Sequence, residues 1–121
     1  MKNCKIDILG TEYTIVKIKY DEDSVFSKES IDGYCSSQRS EIVYCDMTTH
    51  PNTKGGTKEE IRNIEGEILR HEIVHAFLSE SGLAESTTII DRAWAKNEEM
   101  IDWFAIQSPK MFKAFQAVGA L

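Results

Sequence analysis

The hydrophobic period of the chain changes near its middle, and that change limits the folds open to it. Residues 1–50 are rich in Ile, Val, Tyr and Thr, whereas residues 57–121 repeat apolar positions every three or four residues. A period of two builds strands and a period near 3.6 builds helices. Strands first and helices after predict an α+β domain, with helices packed on one face of a small sheet. A chain of 121 residues has room for one core, so 1–121 is read as a single domain.

The elements follow from the same pattern. Lys5–Leu9 and Glu12–Tyr20 read as strands around a turn at Gly10-Thr11. Tyr13, Ile15 and Lys17 share one face of the second strand; Thr14, Val16 and Ile18 share the other. Asp21–Ser24 breaks the run, and Asp32-Gly33 is a turn signal before a strand that begins at Tyr34-Cys35. Ser36–Arg39 is a polar turn and Ser40–Met47 the clearest strand, so the last two form a hairpin. The expected sheet is antiparallel with three to four strands. After a loop from His50 to Gly56, Thr57 and Glu60 form a capping box for a helix over Lys58–Ser81, stopped by Gly82. A second helix is expected over Asp91–Gln107. Ser108-Pro109 then opens a third that ends near Gly119. The sheet portion is thus 1–50, the long helix 57–82 and the C-terminal helices 91–119.

Charge and composition exclude several classes of function. Acidic residues outnumber basic ones by 20 to 14, a net charge of −6. That is a poor surface for tracking phosphates, so no nucleic-acid partner is expected. No apolar run approaches the ~20 residues of a membrane span, and Met1–Asp7 has no apolar stretch for a signal peptide. Cys4, Cys35 and Cys45 have no paired spacing and fit reduced thiols, which predicts a cytoplasmic protein.

The chemistry is concentrated in His71-Glu72-Ile73-Val74-His75, an H-E-x-x-H pattern inside the long helix. Residues four apart lie one turn apart on one face, so both imidazoles can reach one ion. Glu72 lies about 100° further round, where it flanks a metal and can take a proton from a water activated there. Ile61, Ile64, Ile68, His71, His75 and Leu78 recur at spacings of 3, 4, 3, 4 and 3, so the histidines continue the core-facing stripe. The competing reading is a pair of buried histidines bonded to backbone or carboxylate.

A catalytic zinc site takes three protein ligands and an open position. Downstream acids are Glu80, Glu85, Asp91, Glu98, Glu99 and Asp102. Glu80, five residues after His75, points away from the stripe; Glu85 and Asp91 fall between the helices; Glu99 turns to solvent. Trp94, Ile101 and Ala105 form the apolar face of the second helix, and Glu98 borders it. A carboxylate there is costly unless paired or metal-bound, which makes Glu98 the expected third ligand. Asp102, one turn on, is either a surface charge or the acceptor for the far N–H of a ligand histidine.

These two segments together, His71–His75 and Asn97-Glu98-Glu99-Met100-Ile101-Asp102, resemble the paired signatures of gluzincins, the thermolysin-like zinc peptidases. Leu69–Leu83 and Trp94–Lys110 are also similar to small metallopeptidases of phages and prophages. The resemblance covers about a third of the chain. It implies a zincin-like fold, Zn²⁺ held by His71, His75 and Glu98, Glu72 as general base and acid, and Asp102 behind a histidine. A peptide or protein is the implied substrate, and the host cytoplasm of a phage or prophage the implied setting. Gluzincins are usually larger, with a helical domain that supplies a His or Tyr to the transition state. Here only Tyr34, Tyr44, His50 and Arg92 offer such a group, and each also has a structural reading. In zincins an edge strand runs along the cleft, and Ser40–Met47 is the expected one. The alternative function is a non-catalytic phage-type protein whose zinc serves folding or partner binding.

The remaining features read as structure. Trp94, Trp103, Phe104, Phe112 and Phe115 are expected mostly in the core, Cys35 and Cys45 as small hydrophobes, and Glu59, Glu60, Glu65 and Glu67 on the solvated face of the long helix.

Overall fold

The computed structural model describes residues 3–84 and 94–121. Glu85, Asp91, Arg92 and the first three positions of the expected second helix lie outside the described residues.

The strands are β1 (Cys4–Ile8), β2 (Thr11–Lys19), β3 (Gly33–Ser36) and β4 (Glu41–Asp46), in the spatial order β1-β2-β4-β3. The α+β layout and the β3–β4 hairpin are as expected, but the sheet is mixed, because β2 and β4 pair in parallel. The cause is the path after β2. Residues 20–32, including the short helix α1 (Val25–Lys28) with its buried Phe26, carry the chain one strand-width beyond β2. There β3 runs back and leaves a slot. The hairpin returns β4 into that slot, where it must lie parallel to β2. Local alternation shows which face a residue takes, not which neighbour a strand chooses. Ser40–Met47 is therefore interior, and β3 is an edge strand, as is β1, with no further strand paired to it among the described residues.

Two turns differ from expectation. The first hairpin turns at Leu9-Gly10, both at positive φ (50° and 92°), the two-residue turn that the right-handed strand twist favours. Asp32-Gly33 is not a turn: Asp32 accepts a bond from Cys45 N–H at 2.8 Å, and Gly33 is already in the strand. Glycine is required there by packing. A Cβ at Gly33 would lie 2.9 Å from Ile68 Cγ2 and 3.4 Å from Glu72 Cγ.

The long helix α2 (Lys58–Glu80) forms as the sequence predicts. The Thr57 side chain accepts from Glu60 N–H at 3.1 Å, and Gly82 turns the chain at φ 86°. It covers the sheet face that carries Tyr13, Ile15 and Ile42, with Leu69, Ile73 and Ala76 against them. Phe26, Val43 and Cys45 belong to a second cluster, which Ile61, Ile64 and Ile68 join. Glu65 is not on the solvated face. It is buried, accepts from Met47 N–H at 2.8 Å, and pairs with Lys17 at 2.7 Å. Burial pulls the Lys17 ammonium down, but the Glu65 carboxylate outweighs it and leaves the pKa raised.

The C-terminal helices are one helix, α3 (Glu98–Ala117), with Pro109 inside it. Proline removes the N–H that would bond to the carbonyl four residues back and would leave that group unmet. Here that carbonyl belongs to Ala105, and Arg70 Nε–H of α2 donates to it at 2.6 Å. A bond from the neighbouring helix thus replaces the missing one, and the helix runs on. Ile101, Ala105 and Ser108 form the buried stripe. The expected aromatic core does not form: Trp94 precedes α3 in a 3₁₀ turn, and Trp94, Trp103, Phe112 and Phe115 are exposed.

Candidate metal centre

Helix geometry places His71 and His75 one turn apart, with ring centroids at 4.9 Å and Nε2 atoms at 3.2 Å. The third group comes from α3. Asn97 caps that helix, accepting from Met100 N–H at 2.9 Å, and so makes Glu98 its first residue. Glu98 Oε1 lies 2.8 Å from His75 Nε2, and its Oε2 lies 3.2 Å from His71 Nε2. Position delivers Glu98, not burial: its side chain is 63% exposed rather than set on a core-facing stripe.

Asp102 sits one turn further along α3, with Oδ1 2.6 Å from His71 Nδ1. A carboxylate accepts, so Nδ1 donates to it and Nε2 is the ring nitrogen left facing Glu98 and His75. Burial holds His75 below the ordinary imidazole value against the pull of the Glu98 carboxylate. Two imidazole nitrogens and a carboxylate converging in this way can share a proton or hold a metal ion. The spacings of 2.8–3.2 Å approach the edge of about 3.3 Å that tetrahedral bonds of about 2.0–2.1 Å would give. His71, Glu72 and His75 themselves form a group whose ligand atoms lie within 4.8 Å of one another and could hold a metal ion.

Glu72 stands beside this cluster. It is 7% exposed, and its Oε2 is 4.0 Å from His71 Nε2. Among the described residues nothing donates a hydrogen bond to its carboxylate. Burial pushes it up to about 7, aided by the charges of Glu98 and Asp102 and opposed by His71. Two cavities open onto it. One, about 540 Å³, includes Asp32, Ile64, Glu67 and Asp102 in its wall; the other, about 280 Å³, includes Cys35, Ser37, His75 and Ser79.

The remaining candidates are engaged elsewhere. Glu80 accepts from Thr11 Oγ1 at 2.6 Å and Tyr13 Oη at 2.7 Å, and Glu99 is exposed. Tyr34 donates to Asp23 at 2.6 Å, Lys17 sits over the Tyr44 ring at 5.9 Å, and His50 pairs with Asp32 at 3.1 Å. Three roles go beyond the sequence expectation: Asn97 as the cap of α3, Gly33 as the close approach to Ile68 and Glu72, and Asp32 in the cavity wall. Asn97 carries the ordinary cap signal of an Asn before two acids; the other two look like a turn. Comparison with family models, with curated proteins and with solved structures returns no match, so the functional reading rests on this geometry.

Proposed function

We propose that the protein is a zinc-dependent peptidase in which His71, His75 and Glu98 hold the ion and Glu72 handles the proton. The observation that carries the reading is the convergence of two Nε2 atoms and one carboxylate at 2.8–3.2 Å, with a buried carboxylate left free beside them. When bound, zinc supplies Lewis-acid polarisation of a carbonyl and acidifies water. Glu72 takes the proton of the attacking water and later delivers it to the leaving amine nitrogen. Asp102 keeps the His71 proton on Nδ1 and so keeps Nε2 available. Glu72 stands outside the tight cluster, at 4.0 Å from His71 Nε2, which favours three ligands and an open position over a closed structural site.

The edge strand supports a polypeptide substrate. In an antiparallel pair, alternate residues exchange hydrogen bonds with the neighbour. Asp32 bonds to Cys45, and by that alternation Gly33 and Cys35 turn their N–H and C=O groups to the open edge. That edge lies beside Glu72, since both Gly33 and Cys35 border the cavities Glu72 faces. An extended peptide adds there through main-chain bonds. The expected strand changes from Ser40–Met47 to β3, while the logic of strand addition stays.

The test compares zinc-loaded parent and Glu72→Gln protein on unfolded protein substrates. The proposal expects cleavage by the parent and a loss of about 10²–10⁴-fold in kcat for the variant, both retaining zinc. Zinc retention without cleavage by either protein would favour the non-catalytic reading.

A further inference from the structure

The larger of the two cavities at the candidate centre has a definite chemical character. Its apolar lining comes from Ile31 in the stretch before β3 and from Ile64 and Ile68 of α2. The rest of its wall holds five carboxylates, those of Asp32, Glu67, Glu72, Glu98 and Asp102, and among the described residues neither Lys nor Arg. Three of these have tasks in the reading above: Glu98 and Asp102 at the histidines, and Glu72 at the proton. Asp32 and Glu67 remain.

Asp32 is held in place from behind. His50 Nδ1 accepts from Asn52 N–H at 3.0 Å, which puts the ring proton on Nε2, and Nε2 donates to Asp32 Oδ1 at 3.1 Å. The Asp32 side chain still keeps 42% of its surface open, and Glu67 is exposed on α2. Glu72 gives an independent sign that the cavity takes a ligand. It is more than nine-tenths buried, borders the cavity, and has no hydrogen-bond donor among the described residues.

A wall that combines apolar and acidic side chains matches a side chain with a methylene stem and a cationic tip. We propose that this cavity receives a lysine or arginine side chain of the bound polypeptide, with Asp32 and Glu67 as the residues that select it. The stem lies on Ile64 and Ile68, and the charge reaches the two carboxylates. The proposal deepens the peptidase reading and rests on it for the placement of the peptide along β3.

The test separates binding from cleavage. Short labelled peptides that differ in one central residue (Lys, Arg, Ala or Glu) are titrated by fluorescence anisotropy into Glu72→Gln protein, metal-free and zinc-loaded. Lys and Arg peptides are expected to bind about tenfold tighter than the Ala peptide, and added salt should narrow the gap. Asp32→Asn with Glu67→Gln should remove the preference. Glu67→Lys alone, a change at an exposed site that leaves the Asp32 hydrogen bonds intact, should narrow it sharply. Mass spectrometry of parent digests should place a basic residue next to the cleaved bonds. Equal binding of all four peptides, or a preference unmoved by Glu67→Lys, overturns the inference even if the parent cleaves. Selective binding that these variants abolish, without cleavage, supports the cationic cavity and removes the peptidase reading instead.

Discussion

The Asp102 carboxylate holds the far nitrogen of His71 at 2.6 Å, and its loss frees the ring to turn and to change tautomer. Asp102→Asn keeps the size and removes the charge. It is expected to weaken zinc binding by about 10–100-fold, read by competition with a chromophoric chelator, and to leave the fold intact. An unchanged affinity would make Asp102 a surface charge. Glu80 makes a different prediction. Its carboxylate is held below the ordinary value, 4.5, by the hydroxyls of Thr11 and Tyr13. A depressed carboxylate stabilises the fold at pH above its unfolded value, and that contribution drains away as pH falls through the folded one. Glu80→Gln should therefore lower Tm at neutral pH and flatten its fall below about pH 4.5, relative to the parent. Parallel Tm curves for the two proteins would contradict this.

Among the elements, α2 was the most legible in the sequence, and for clear reasons. Its helical period runs from Ile61 through His71 and His75 to Leu78, Thr57 and Glu60 mark its start, and Gly82 ends it. The His–Glu–His spacing then fixes the face on which the ligands sit. α3 was harder. The usual sense of Ser108-Pro109 is a helix start, and only the neighbouring Arg70 guanidinium, invisible in a local window, lets the helix continue. This pairing is testable. Arg70→Ala leaves the Ala105 carbonyl unmet and should cost about 1–3 kcal/mol by chemical denaturation. Pro109→Ala restores the helix's own bond and should raise stability by about 1–3 kcal/mol. Arg70→Ala should then cost much less in the Pro109→Ala background, and additive effects would show that the two residues are independent. β3 is found where a strand is expected, and only its start differs. Its Asp32-Gly33 has turn chemistry, yet glycine is there because Ile68 and Glu72 occupy the space of a Cβ.

At the scale of the molecule, the order of strands was not legible, because period-two alternation is the same in parallel and antiparallel pairing. Neither was the exposure of the aromatics of α3: helical spacing places Phe112 and Phe115 on the buried side, but they stay 48% and 39% exposed. The candidate site was legible in outline because both signatures are local. The fold had only to bring α2 and α3 together. The proposed ion would join these helices, and metal content and fold stability would then be linked.

Zinc stoichiometry by mass spectrometry and its effect on Tm, measured together on the parent, His71→Ala and Glu98→Ala proteins, tests that claim most directly. The account predicts one zinc per chain in the parent, a Tm that falls on chelation, and loss of both the ion and the chelator response in either variant. A folded parent that binds no zinc at stoichiometric concentration would contradict it.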